Sequence, residues 1–221
     1  MASIPVNQFV KTNENHWAWQ CVEAGERVFA GILILAFAPA FCVIWVTILA
    51  LSGRAPFIAH RRVGQGRSEL WVLKFRTMWD RRAKFDLRAF FSVEYIDDQA
   101  GPGLKGPGDS RVGSRFARFC RQHSIDELPQ LYHVFRGQMS LVGPRPVTPA
   151  ELDQIYGSKA AEILSTKPGI SGLWQVSGRN RLTFEQRCSI DLESVRMRSL
   201  KLYFKVLLRT IPEVFTGANA W

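Results

Sequence analysis

The sequence predicts a mostly helical α+β fold with one membrane-inserted helix, amphipathic helices at the bilayer surface and a small β-hairpin. Three observations predict it. From Val28 to Leu51 (VFAGILILAFAPAFCVIWVTILAL) no charged residue occurs, and roughly 20 apolar residues suffice to cross a bilayer. Residues 57–78 alternate around a Gly64/Gly66 turn, which is the pattern of a hairpin. From Phe184 to about Phe215 the apolar residues return at helical spacing. There Leu200, Phe204, Leu207, Ile211 and Phe215 form an apolar stripe, and Lys201, Lys205 and Arg209 a cationic one.

Composition narrows the class. The 221 residues give room for one domain and an appendage. A hydrophobic content of 47% with seven Trp excludes a disordered chain. The net charge of +10 asks for an anionic partner, whether nucleic acid, an anionic lipid surface or a phosphorylated substrate. Cys21, Cys42, Cys120 and Cys188 form no CxxC pair and read as reduced structural thiols of a cytosolic setting.

In chain order, residues 1–27 form a polar N-terminal segment, too acidic for a signal peptide. Residues 28–51 form the membrane segment, with Pro39 at its centre. A kinked spanning helix and a re-entrant hairpin both tolerate that proline. The flank carrying Arg54, Arg61, Arg62 and Arg67 outweighs the one carrying Lys11 and Arg27, which puts the bulk of the chain in the cytoplasm either way. Residues 52–221 form the remaining domain. Residues 79–96 mix aromatics with cations, as in an interfacial helix or an ordinary amphipathic one. Gly101–Gly108 reads as a loop and Val112–Arg121 as a basic helix. A helix is expected from near Asp126 to Arg136, ended by Gly137. Another is expected over 149–165, followed by a glycine-rich loop from Lys167 to Arg181 and one continuous helix to the end of the stripe.

Chemistry concentrates at Ser124-Ile125-Asp126-Glu127-Leu128-Pro129-Gln130-Leu131. Asp126 suits an N-cap, and Ser124 with Glu127 fits a capping box. A helix start also favours ionised carboxylates, so one could attack phosphorus while the other holds a metal. Arg145 stands between Pro144 and Pro146, whose fixed φ restrains it for phosphate contact. The loop Lys167–Arg179 offers backbone N–H groups and Arg179 to a diphosphate. Lys74 and Arg76 flank Phe75, so a strand would put both cations on one face. His16, His60, His123 and His133 show no ligand spacing and read as structural.

Together KFRTM (74–78), SIDELPQL (124–131), MSLVGPRP (139–146), KPGISGLWQVSGR (167–179) and FEQRCSIDL (184–192) resemble the bacterial sugar transferases in their small, single-module form. These are monotopic polyprenyl-phosphate phosphoglycosyl transferases, and the likeness covers roughly residues 28–215. It implies transfer of a sugar phosphate, commonly of glucose or galactose, from a UDP-sugar to a membrane polyprenyl phosphate with release of UMP. That is the first lipid-linked step of exopolysaccharide or O-antigen assembly. It further implies that Asp126 is a nucleophile forming a covalent phospho-sugar aspartyl intermediate, and that Glu127 binds Mg²⁺. Substrate contacts fall on Lys74, Arg76, Arg121, Arg145, Gln175, Arg179 and Asp191. The membrane segment becomes a re-entrant helix broken near Pro39, and the enzyme sits on the cytoplasmic face of the bacterial inner membrane among anionic lipids, with a homo-oligomer left open. Ala38 replaces a family Ser before the proline. Gln138 and Tyr203 each stand where the family has Asp, and Ser194 where it has Tyr. Two other classes fit parts of the sequence. A non-catalytic basic scaffold at the membrane needs no Asp-Glu pair. A nucleic-acid-binding protein conflicts with the apolar segment and has no recognised motif.

Overall fold

The computed structural model describes residues 16–79, 87–97, 114–178 and 182–216. The first element, α1 (His16–Ser52), is longer than the apolar run. It starts inside the expected polar segment, because residues 16–27 are themselves amphipathic and bury Trp19 and Glu26. The helix continues through Pro39, so the expected break is no gap in the helix. Proline removes one hydrogen bond there, and those on either side persist. Both ends of α1 dock on the rest of the chain. Ala30, Leu33 and Ile34 join a core with Leu70, Val72, Leu131, Val134 and Met139. Ile44 and Ile48 join another with Phe75, flanked by Phe57 and Phe116. Between them, residues 35–40 are all exposed. Leu35 is 77% exposed, and Val28, Phe29, Ile32, Val43 and Val46 also face outward.

The hairpin forms as expected. Strands β1 (Phe57–Val63) and β2 (Glu69–Phe75) pair antiparallel from Phe57↔Phe75 to Val63↔Glu69. Gly66, at φ +63°, makes the turn. A third strand, β3 (Val93–Ile96), adds in parallel to the free edge of β1, giving the order β2-β1-β3. This corrects the expected helix over 79–96. Among the described residues of that span only Leu87–Phe90 is helical, and the Val93/Tyr95 alternation serves a strand whose Tyr95 meets Trp71 edge-on. Residues 80–86 and the Gly101–Gly108 loop lie outside the described residues.

Beyond the sheet, α2 (Arg115–Gln122) starts at Ser114, whose hydroxyl accepts the Ala117 N–H. A tight 3₁₀ turn (Ile125–Gln130) leads into the short α3 (Leu131–Phe135). Gly137, at φ +73°, ends it as expected. The expected helix over 149–165 is broken into single turns, because Gly157 takes φ +44° in its middle. Those turns pack Leu152, Tyr156, Ile163 and Leu164 against Cys188 and Leu192. The glycine-rich loop holds β5 (Gly169–Ser171), which pairs in parallel with β4 (Ser140–Val142). Gly143 and Gly169 cross so closely that a Cβ on Gly169 would lie 2.1 Å from the Gly143 nitrogen.

The last stretch is two helices rather than one, α4 (Phe184–Arg196) and α5 (Leu200–Thr216). The break falls where the Ser199 hydroxyl takes the Leu202 N–H and starts α5. α5 packs on Tyr203 and Val206, and of its predicted apolar stripe Phe204, Ile211 and Phe215 point away from the core while Leu200 and Leu207 are half-buried. Phe204, Leu208, Ile211 and Phe215 are exposed.

Candidate active site

Strand alternation and one tight turn assemble the first group. β2 presents Lys74 toward the 3₁₀ turn, and its Nζ meets Glu127 Oε1 at 2.5 Å. The capping box expected from Ser124 and Glu127 does not form. Ser124 adopts the left-handed conformation at φ +55° to link α2 to the turn, so its hydroxyl caps nothing, and Glu127 turns to Lys74 instead. Asp126, beside it, is 8% exposed. Burial pushes its carboxyl up to about 6, Glu127's charge adds to that, and Lys74 and Arg121 oppose it. Its ionisation at neutral pH therefore rests on two cations rather than on a helix cap.

The frame around this group is rigid. His133 of α3 accepts the Leu73 N–H at Nε2 and donates from Nδ1 to Gln138 Oε1. Burial lowers its pKa, which keeps it neutral and able to play both parts. That pairing locks the strand carrying Lys74 to the helix that follows the dyad. Arg27 donates to the Phe135 and Arg136 carbonyls at the end of α3. A Cβ on Gly137 would lie 2.9 Å from the Arg27 guanidinium.

Arg76 does not share the face of Lys74. β2 ends at Phe75, and Arg76 is 5% exposed. Its guanidinium donates to the Ala55 carbonyl at 2.7 Å and to Glu94 at 2.6 Å. It staples the exit of α1 to the sheet.

The second group gathers on the β4–β5 loops and α4. Pro144 and Pro146 are buried while Arg145 between them is exposed, so the prolines anchor the loop and aim the cation outward. The Arg145 backbone N–H donates to Asp191 Oδ2 at 3.2 Å. Asp191 is 3% exposed, and burial pushes its carboxyl up to about 7 against the pull of Arg145. Gln175 donates to the Ile170 carbonyl, so its amide braces the loop. Gly172 lies where any Cβ would meet the Gly143 oxygen at 2.7 Å. Arg179 lies outside the described residues. Sequence reading missed Arg187, whose guanidinium sits 4.9 Å from the Trp174 ring centre. Arg187 and Asp191 stand four apart on α4, and that spacing was the available signal.

Sequence reading also missed Glu26. This carboxylate of α1 is 5% exposed, and its Oε1 accepts from Ser140 Oγ, the Leu141 N–H and the Tyr203 hydroxyl. The only hint was an acid separated from the apolar run by Arg27 alone. Tyr203, one of the departures from the family pattern, thus ties α5 to α1. Ser194, another, donates to the Asp191 carbonyl within α4.

The bacterial sugar transferase family pattern matches residues 18–217. The chain is similar to the exopolysaccharide production protein ExoY of Rhizobium meliloti, 37% identical over 195 residues that cover 87% of this chain and 84% of that one. It is 34% identical to the UDP-glucose:undecaprenyl-phosphate glucose-1-phosphate transferase of Caulobacter vibrioides, covering 88% of this chain and 69% of the relative. It is 36% identical to the UDP-galactose-lipid carrier transferase of Erwinia amylovora, of which it covers 39%.

Proposed function

The chain belongs to the bacterial sugar transferase family, and on that footing we propose that it moves a sugar 1-phosphate from a UDP-sugar to undecaprenyl phosphate, releasing UMP. The relatives named for galactose and glucose transfer make UDP-galactose and UDP-glucose the first donors to test. The product, an undecaprenyl-diphosphate-sugar, would start an exopolysaccharide of the kind the relatives serve. The observation that carries this reading is the buried carboxylate of Asp126 beside Glu127, faced by the cations of Lys74 and Arg121.

The chemistry follows from those groups. An Asp126 oxygen attacks the phosphorus that bears the sugar, and the bond from that phosphorus to the bridging oxygen breaks. UMP departs with the electron pair, leaving the sugar phosphate esterified to Asp126. A phosphate oxygen of the lipid then attacks the same phosphorus, which frees the carboxylate and forms the new diphosphate. Lys74 and Arg121 hold Asp126 ionised and offset charge as it builds on the phosphoryl oxygens. Arg145, restrained by its prolines and by Asp191, is placed for phosphate contact. Arg76 serves the frame.

Glu127 fits the hard-cation role. Mg²⁺ is held by one or two carboxylates and takes its other ligands from phosphate and water, and Glu127 is a partly exposed carboxylate beside the nucleophile. When bound, Mg²⁺ would neutralise charge on the diphosphate. Glu127 would then share its carboxylate between the ion and Lys74.

The docking of α1 supports the monotopic arrangement. A straight helix of this length would reach about 55 Å, yet residues near both ends pack on one domain and the longest run that stands clear of it is residues 35–40. The outward faces of α1 and α5 would sit in the cytoplasmic leaflet of the inner membrane. The purified protein with Mg²⁺, undecaprenyl phosphate and each UDP-sugar in turn tests the reading by UMP release. Release with one or two donors supports it, and no release with any donor contradicts it.

A further inference from the structure

β2 is an outer strand of its sheet, so among the described residues one of its edges meets no other strand. Such an edge presents backbone donors and acceptors that need partners. One of them, the Leu73 N–H, is met by a side chain, His133 Nε2, at 3.1 Å. The Trp71 carbonyl, on the same edge, also acts on the His133 ring. His133 is 5% exposed, so this bond is made away from water. The next residue on the strand is Lys74, whose Nζ reaches Glu127. On the other side, the turn that carries Asp126 and Glu127 runs directly into α3, which carries His133. One imidazole thus joins the backbone behind Lys74 to the element behind the two acids.

An imidazole accepts at Nε2 only while it is neutral and only as the Nδ1–H tautomer. Gln138 selects that tautomer, because its Oε1 takes the Nδ1 proton at 2.9 Å. The Gln138 and Met139 N–H groups both donate to the His133 carbonyl, which folds the loop after Gly137 back onto the same residue. Gln138 is one of the departures from the family pattern, which has Asp there. A carboxylate at this place would favour the imidazolium, and its Nε2–H would then oppose the Leu73 N–H. The elements packed against α3 carry other charges: Glu26 and Arg27 on α1, Glu69 and Lys74 on β2, Asp126 and Glu127 on the turn, and none on β4. None of these shifts the ring; burial holds it neutral, against Gln138 and the Trp71 carbonyl.

We infer that His133 is a positioning residue for the phosphoryl transfer: the neutral Nδ1–H tautomer selected by Gln138 holds the edge of β2 where Lys74 faces Asp126 and Glu127. This rests on the proposed transferase reading, in which Lys74 keeps Asp126 ionised and offsets charge on the phosphoryl oxygens. His133 touches no substrate and acts through Lys74 alone.

The test uses the full chain in nanodiscs of fixed lipid composition, with UMP release measured above the acid limb. His133→Phe keeps a ring and removes the acceptor. His133→Gln offers the Leu73 N–H an amide oxygen that does not titrate. His133→Phe should lower kcat about tenfold, the equivalent of one lost buried hydrogen bond, and leave the donor KM in place, while His133→Gln restores most of the loss. In a Lys74→Gln background His133→Phe should cost little further, because a residue that acts through Lys74 has nothing left to position. Equal losses with and without Lys74, a loss confined to KM, or a wild-type kcat in His133→Phe overturns the inference. The second readout is the rate–pH profile, which stands even where His133→Phe does not fold. Gln138→Glu should start the acid loss at higher pH than wild type, and adding His133→Gln should return it. A limb that stays in place in Gln138→Glu, or moves alike without His133, also overturns the inference. Such results, obtained with an active enzyme, leave the transferase reading standing; a wild type that never releases UMP removes the reading itself.

Discussion

Asp126 is asked to be buried and to carry a charge, and the two demands oppose each other. Burial has raised its carboxyl to about 6, so the acid limb of activity should fall near that value rather than in the ordinary carboxylate range. Removing a neighbour moves the limb in a known direction. Lys74→Gln takes away a favourable cation and should shift it to higher pH. Glu127→Gln takes away a like charge and should shift it lower. Rate–pH profiles of the residual activity check both, and a limb unmoved in either variant contradicts the assignment. A carboxyl raised by folding also costs stability once it ionises, so the penalty is absent in acid and present in full above about pH 6. Asp126→Asn should therefore melt a few degrees higher than wild type at neutral pH while losing activity. The pair itself was legible, because two acids beside arginines stand out in any sequence. Its environment was not. A capping box is a local pattern, and here a tertiary partner, Lys74 from β2, outcompeted it for Glu127. Arg76 misled for a related reason, since alternation predicts a shared face only as long as the strand continues.

At the scale of elements, α1 is fixed through the side chains at its polar end. Glu26 gathers a hydroxyl and a backbone N–H from β4 and the Tyr203 hydroxyl from α5. Glu26→Ala would leave those donors buried without an acceptor and should cost about 2–4 kcal/mol, whereas Tyr203→Phe removes one bond and should cost about 1 kcal/mol. Denaturant unfolding in detergent measures both, and equal costs would argue against a shared acceptor. The hairpin and the helical periods were readable because side-chain spacing reports them directly. The strand β3 was not, since its four residues are stabilised by the open edge of β1, a neighbour far away in sequence. The break between α4 and α5 depends on one serine hydroxyl, too small a signal beside a continuous apolar stripe. That stripe has the spacing of a core face and the exposure of a membrane face, and periodicity alone does not tell them apart.

At the scale of the molecule, α1 and α5 place their exposed apolar residues outside the two cores that hold α1 to the domain. The docking of both halves of α1 predicts that its two ends share one side of the membrane. Cys21 is exposed near one end, and Arg67→Cys would mark the far side of the helix exit. In a Cys42→Ser background, an impermeant thiol reagent should reach both only after the cytoplasmic face is opened. Labelling of Cys21 from outside intact cells would establish a spanning helix instead. The most direct test of the central claim is intact-protein mass after a rapid quench, with the UDP-sugar and Mg²⁺ present and no lipid acceptor. A sugar-phosphate adduct is expected on the peptide that contains Asp126, absent in Asp126→Asn and discharged by undecaprenyl phosphate. An enzyme that turns over without that adduct, or an Asp126→Asn variant that turns over at the wild-type rate, would contradict it.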